Sequence, residues 1–333
     1  MFSFDVVPGT AVRQVLDADR AGVVDIVRRA YLSHGAGDTV NPDSYFLRFP
    51  EKPDARIIAL PAFLGDDVQL AGIKWISSFP ANIRTGVPRA SAVLILNDYE
   101  TGYPIACLEA AGISAARTAA SAALAAGALR AGGYEGTRIA VVGAGVIARN
   151  ICDYLHVTGC TPDSYLIHDL DEAAGRALSG HVTQQLGVSA RFTADLDEAL
   201  EAETVAFATT ALTPYVTREF KPGQLVLNIS LRDLAPETIL AADNFVDDVE
   251  HCLKANTSPH LAEQLSSGRD FITGRLHDVL RGDLAPRTDR PVIFSPFGLG
   301  VLDIAVGSFV LGRARTTGTA QEIPGFFGET TRW

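Results

Sequence analysis

The stretch Arg138–Ile151, "RIAVVGAGVIARNI", constrains the fold more than any other. An apolar run, Ile139–Val142, leads into Gly143, Gly145 and Ala148, which fit G-x-G-x-x-A, and a helical run follows. Gly143 permits a tight turn, Gly145 lets the backbone approach a pyrophosphate, and Ala148 keeps the helix close to the strand. The helix start, with Val146 and Ile147, offers amide donors and a positive dipole end to a diphosphate. A second apolar run, "SYLIHD", ends in Asp169, about 20 residues past Ala148, where an acid reaches the ribose hydroxyls. "DLDEAAG" brings no basic residue before Arg176, so a 2′-phosphate meets Asp169 and Asp171 instead, and NAD is expected over NADP. The competing role for Asp169 is a helix N-cap. Thr209 and Thr210, after "VAFA", lie where a loop flanks the cofactor, although plain turn residues fit the position equally well. Thr118 joins the cofactor candidates.

From Gly136 strand-like and helical runs alternate. "RIAVVGAG" precedes a helix over Val146–Thr158, and "SYLIHD" precedes one over Glu172–Leu186. "TVAFATT", "QLVLNIS" and "NFVDD" follow. Such alternation predicts a parallel sheet covered by helices. The N-terminal part reads differently. A helix is expected over Asp17–Ser33, then three strands near Arg56–Leu60, Leu70–Ile76 and Ser91–Leu96, in an antiparallel or mixed sheet. "NDYETGYP" is turn-rich and closes that region. A long Ala-rich helix spans about Gly112–Ala131, and a last helix about Leu299–Arg313. The expected architecture is α/β. A Rossmann-type doubly wound parallel sheet over 121–298 carries NAD. A second, α+β domain, 1–120 with 299–333, serves substrate binding and dimerisation.

Net charge is −11, which argues against a nucleic-acid or anionic-membrane partner but leaves room for a small anion held by a few local cations. The four cysteines, Cys107, Cys152, Cys160 and Cys252, form no Cys-x-x-Cys pair, so neither a metal site nor a disulfide framework is expected. The N-terminus lacks the basic region of a secretory signal, and a cytoplasmic protein is expected.

Three charged residues stand in settings that ask for an explanation. Lys74 lies between Ile73 and Trp75 in a strand. By default such a lysine is on the solvated face of a half-buried strand; the alternative is a cleft lysine that binds a carboxylate or handles protons. Arg117 lies in "SAARTAASAALAA", Ser114–Ala126, where small residues allow close packing. A buried guanidinium needs an anion, either a structural one or a substrate carboxylate held bidentately. Asp233 follows "LVLNIS", at the carboxyl end of a strand, where ligand groups gather in open α/β sheets. An N-cap before Pro236–Leu240 suits it equally. Arg48, Arg56 and Arg89 are loop or strand-edge arginines, exposed by default.

Several segments in fixed order resemble the ornithine cyclodeaminase/μ-crystallin family: "GIKWI", "DYETGYPIACLEAAGISAARTAASAALAA", "VVGAGVIARN", "LIHDLD", "NISLRD" and "FSPFGLGVLDIA". The resemblance is strongest to its siderophore-type branch, the N-(2-amino-2-carboxyethyl)-L-glutamate dehydrogenases, through "YFLRFPEKPDARIIALPAFLG", "GIKWISSFP" and "PRASAVLILNDYETGYPIA". Where cyclodeaminases carry a Gly-Gly-Asp-x-Pro-Gly-Lys-type segment, this chain has "SLRDLAPET", which keeps only the aspartate. Arg89 stands where they have a small hydroxyl residue. Both departures speak against ornithine.

The resemblance implies roles. Lys74 and Arg117 would bind a substrate carboxylate, with Lys74 also an acid/base. Asp233 would be the acid near the reacting amine. Arg48 and Arg89 would bind further carboxylates. Gly143, Gly145, Ala148 and Asp169 would hold NAD. It also implies a homodimer and a siderophore or peptide antibiotic as the downstream product. The other activities it leaves open are a cyclodeaminase, an alanine-type dehydrogenase, a ketimine reductase and, in another class, a cofactor- and ligand-binding protein like μ-crystallin.

Overall fold

The computed structural model describes residues 2–331. Its contacts divide into two compact units, one of residues up to Arg117 with those from Leu299 on, the other Thr118–Gly298. The chain opens with β1 (Asp5–Val7), α1 (Gly9–Ala18) and α2 (Arg20–Gly35). It continues through β2 (Thr39–Val40), β3 (Tyr45–Phe49), β4 (Lys52–Leu64), β5 (Leu70–Ser78), β6 (Ala90–Asp98) and β7 (Pro104–Glu109) into α3 (Ala111–Leu129). Strands β4 to β7 pair antiparallel in succession, β2 and β3 both pair with β4, and β1 joins β7 in parallel. The sheet is therefore mixed, with more strands than the three expected. "NDYETGYP" does not close the region. It is the β6–β7 hairpin, tied by Asp98 N to Tyr103 O at 2.9 Å. Asp98 also accepts from Thr101 N at 2.8 Å, the side-chain turn bond that Asp favours. The helix expected from Asp17 starts at Arg20, because Asp19 leaves helical geometry and caps α2 through Gly22 N at 2.8 Å. Helix α1 lies where no element is expected, with Pro8 as its N-cap just outside the first turn.

The second unit runs β8 (Arg138–Val142), α4 (Val146–Val157), β9 (Ser164–His168), α5 (Glu172–His181), β10 (Ser189–Phe192), α6 (Leu196–Leu200) and β11 (Thr204–Phe207). Then come β12 (Leu225–Asn228), α7 (Pro236–Leu240), β13 (Asp243–Val246), α8 (Val249–Cys252), α9 (Ser258–Ser266), β14 (Ile272–Arg275), α10 (Leu276–Arg281) and β15 (Val292–Ser295). The strand order is β10-β9-β8-β11-β12-β15-β13-β14. Every pairing is parallel. This is the doubly wound α/β arrangement, and order reverses between β8 and β11, where such sheets bind ligands. Residues of β11, β12, β13 and β15 are all buried, as parallel strands covered on both faces require. The helix expected to reach Leu186 is α-helical only to His181. Val182–Leu186 is a π-helical turn that stops at Gly187.

The chain then returns to the first unit with α11 (Gly300–Thr317) and β16 (Gln321–Glu322), which pairs antiparallel with β1. Helix α11 is apolar nearly all round and lies on β4, β5 and β6. Gly307 permits that approach: a Cβ there would come within 2.2 Å of Leu94 Cδ2. No helix of the described residues is long and apolar enough to cross a membrane.

Candidate active-site residues in the two units

The Gly-rich turn leaves β8 at its carboxyl end. Gly143 has φ +98, and a Cβ on it would lie 2.4 Å from Ala208 O at the end of β11, so only glycine fits. Beyond Gly145 a Cβ would meet open space. The amides of Val146, Ile147 and Ala148 begin α4 and find no acceptor among the described residues, so the turn can cradle a diphosphate. Val146 is exposed and Ala148 fully buried, as close helix–strand packing demands. Asp169 is not the helix cap. Asp171 is, accepting from Ala173 N and Ala174 N. The Asp169 carboxylate instead takes Ala144 N at 2.6 Å and Asp171 N at 2.8 Å, fixing the Gly-rich turn and its own loop together. A carboxylate has about four lone-pair sites, so acceptor capacity remains for ribose hydroxyls. Arg176, the first base after Asp169, is engaged by Glu172 at 2.7 Å. The residues present thus fit a dinucleotide without a 2′-phosphate.

Asp233 is fully buried and caps nothing; the residue before α7 is Ala235. Three hydroxyls converge on its carboxylate: Thr209 Oγ1, Tyr215 OH at 3.0 Å and Ser230 Oγ at 2.5 Å. Burial, then the charge of Asp233, pushes the Tyr215 phenol well above its usual pKa, so it stays a donor. Leu231, between Ser230 and Asp233, has φ +68, an uncommon conformation for a γ-branched residue that costs on the order of 1 kcal/mol and is held by Ser258 N at 2.6 Å from Leu231 O. Thr209 is therefore a partner of Asp233 as well as a residue of the β11 loop. Thr210 is exposed, and Thr118 follows Arg117 in α3, half-buried.

In the first unit the structure overturns the default reading of Lys74. The alternation runs in the opposite phase: Trp75 is 40% exposed and Lys74 only 1%. Lys74 Nζ lies 2.6 Å from Asp303 Oδ2 and 3.2 Å from Ser114 Oγ. Asp303, in the first turn of α11, is itself fully buried. Arg117 Nε lies 3.4 Å from Asp303 Oδ1 without hydrogen-bond alignment, and among the described residues no other acceptor is seen at its guanidinium. One buried carboxylate thus stands against two cations, and the fork of Arg117 remains available to another anion. Burial pulls the Lys74 pKa down to about 8, opposed by Asp303 and assisted by the Arg117 charge.

Arg89 and Arg56 are half-buried rather than exposed, while Arg48 is exposed as expected. Sequence reasoning missed Asp303, Tyr215 and Ser230, and left Arg56 on the surface. The available signal for Asp303 was a lone acid in "GLGVLDIAVG", since a charge in an apolar helix demands a countercharge. Among the described residues no group of His, Cys, Asp and Glu could hold a metal ion, and all four cysteines are free thiols.

Fold and Gly-rich turn together define a Rossmann-type α/β protein with a separate mixed-sheet unit. The chain belongs to the ornithine cyclodeaminase/mu-crystallin family, whose model matches residues 12–318. It is 30% identical over 303 residues to the N-((2S)-2-amino-2-carboxyethyl)-L-glutamate dehydrogenase of Staphylococcus aureus, covering 88% of this chain and 90% of that one. Among solved structures it resembles a Δ1-pyrroline-2-carboxylate reductase of Thermococcus litoralis bound to NADH and L-proline, with TM-score 0.88, 21% identity and 96% and 100% of the two chains covered. It also resembles an archaeal alanine dehydrogenase dimer with bound NAD, with TM-score 0.87, 24% identity and 98% and 100% covered.

Proposed function

We propose that the protein is an NAD-dependent oxidoreductase of the CH–NH class. Its substrate is N-[(2S)-2-amino-2-carboxyethyl]-L-glutamate, cleaved to L-2,3-diaminopropionate and 2-oxoglutarate. The observation that carries this reading is the cationic, acid-poor composition of the first unit's site. Lys74 and Arg117 share one carboxylate, and among the described residues no carboxylate pairs with Arg48 or Arg89. A tricarboxylate suits that imbalance better than cationic ornithine, and the likeness to the staphylococcal dehydrogenase points the same way.

The chemistry that NAD⁺ would supply when bound is acceptance of a hydride, here from the glutamate Cα. The amine proton leaves with it, giving a C=N bond; water then adds to the imine carbon, and the C–N bond breaks to release the ketone and the amine. Arg117 and Lys74 hold the α-carboxylate and so fix the Cα–H bond, a positioning task. Asp233 and, second to it, Lys74 take the protons from the amine and the attacking water. The free amides of α4 and the Asp169 carboxylate would hold the diphosphate and ribose of that cofactor.

Purified protein given the conjugate and NAD⁺ should form NADH, 2-oxoglutarate and diaminopropionate in equal amounts, with NADP⁺ a poorer oxidant. Proline and ammonia from ornithine, with no turnover of the conjugate, would overturn the assignment. Cofactor binding without turnover of any amino acid would favour a binding protein. We place the reaction in the cytoplasm, upstream of a siderophore or peptide antibiotic. A neighbouring gene for an enzyme that joins phosphoserine to glutamate would support that context.

We further propose a homodimer. The face of β5 and β6 opposite Lys74 carries Ile73 beside Ile95 and Trp75 beside Val93, with Trp75 and Val93 39–40% exposed. A sheet apolar on both faces needs a cover on each, and the archaeal relative is a dimer. Light scattering should give twice the chain mass at micromolar concentration, and Trp75→Asp with Val93→Asp should give folded monomers. A monomeric wild-type protein overturns this.

A further inference from the structure

Arg48, Arg56 and Arg89 meet at one end of the first unit's sheet. Arg48 and Arg56 are direct cross-strand partners on β3 and β4, and Arg56 pairs with Ser78 on β5. Directly opposed residues present their side chains on the same face. Arg89 Nη1 reaches that group from just before β6, 3.4 Å from Ser78 Oγ. Strand alternation puts Ser78 on the same face as Lys74, roughly 13 Å farther along β5. The three arginines thus extend the face of Lys74 toward the sheet's end.

No described acid balances them. Arg48 lies over the Phe46 ring, 5.3 Å from its guanidinium carbon to the ring centre, and Arg56 Nε is buried without a hydrogen-bond partner among the described residues. Burial first and the neighbouring guanidinium second push Arg56 and Arg89 below their usual pKa: Arg48 acts on Arg56, and Arg56 on Arg89. Like charges directly opposite on a sheet destabilise it. A chain that keeps three of them together without a carboxylate, Arg56 and Arg89 half-buried, carries a standing cost in the ligand-free state.

We propose that Arg56, at the centre of this trio, is a specificity-determining residue. With Arg48 and Arg89 it forms a subsite for the distal carboxylates of a di- or tricarboxylate whose first carboxylate is held by Lys74 and Arg117. The inference rests on the reaction proposed above only in assigning that first carboxylate; the subsite itself reads multivalent carboxylates whatever the chemistry. Ornithine and alanine offer nothing to it, which makes the trio a filter against the shorter substrates of related enzymes.

The test uses the full chain in a buffer free of multivalent anions. Propane-1,2,3-tricarboxylate and acetate are the probes, read by isothermal titration and thermal melting. Wild-type protein should bind the tricarboxylate and melt at a higher temperature with it, while acetate at equal ionic strength has no such effect. Arg56→Met should weaken tricarboxylate binding at least tenfold, as expected for losing charge-assisted hydrogen bonds. Its ligand-free melting temperature should be unchanged or raised, because a like charge has gone. A purely structural arginine predicts the reverse: a lowered melting temperature and unaltered binding, which would overturn the proposal. Arg89→Met supplies the second variant and should weaken binding in the same direction; wild-type affinity in both variants also overturns it. Since neither readout requires turnover, failure of the conjugate as a substrate leaves this result standing. Conversely, unchanged KM for the conjugate in Arg56→Met would sink the subsite while the reaction stands.

Discussion

Replacing Lys74 by methionine is expected to lower turnover of the glutamate conjugate by about 10²- to 10⁴-fold, the range typical for losing a positioned acid or base. It should also cost stability, because Asp303 would be left charged, buried and facing only the misaligned Arg117. Removing one member of a buried pair costs about 3–5 kcal/mol, whereas replacing both by apolar groups is often neutral. Lys74→Met combined with Asp303→Leu should therefore recover most of the lost stability in urea melts but none of the activity. Recovery of both would assign the pair to packing alone. The pH dependence gives an independent check. Lys74 sits near 8 in the folded chain against 10.5 for the free side chain. Between those values the unfolded state binds the extra proton, so stability gains from this group as pH rises through that window, and the cost of burying the charge is complete below it. The double variant should lack this gain. If neutral Lys74 takes a proton in the rate-limiting step, kcat should climb to a plateau above pH 8.

How much of this was legible in the sequence depended on the range of each interaction. The parallel unit was, because strand, Gly-rich turn and helix are neighbours along the chain, and Asp169 lies at the expected distance from Ala148. The first unit's mixed sheet was legible in kind but not in extent. Strand β7 hides behind a turn-rich segment, and β3 shows exposed Tyr45, Phe46 and Leu47 without a clean alternation. Lys74 was misjudged in its default reading because a local pattern of Ile, Lys and Trp says which residues alternate, not which phase faces inward. That phase is set by tertiary packing, which brings Lys74 against Asp303, 229 residues away in sequence. Arg56 failed for the same reason: only the register of β3 on β4 puts it opposite Arg48. Arg117 was the exception, since a guanidinium among alanines announces burial on its own, although not that its nearest anion would be shared.

Asp233→Asn is expected to be the second severe variant, with kcat falling about 10²- to 10⁴-fold if Asp233 accepts the amine proton. The substitution keeps shape and removes charge. One Asn oxygen can still accept from Thr209 and Tyr215, and the Ser230 hydroxyl can rotate to accept from the new amide. The folded state should lose only about 1–2 kcal/mol, near the value of one or two ordinary hydrogen bonds. Asp233→Ala is harsher, since it strands three hydroxyls beside a cavity and frees the loop that Thr209 anchors. Comparing the two separates chemistry from scaffolding. NAD affinity, read by quenching of protein fluorescence, should be unchanged in Asp233→Asn and weakened in Asp233→Ala. A kcat within about threefold of wild type in Asp233→Asn would show that the carboxylate works as a hub for three hydroxyls and not as a base. The proton would then have to go to Lys74, whose pKa near 8 suits it for that work at neutral to mildly alkaline pH.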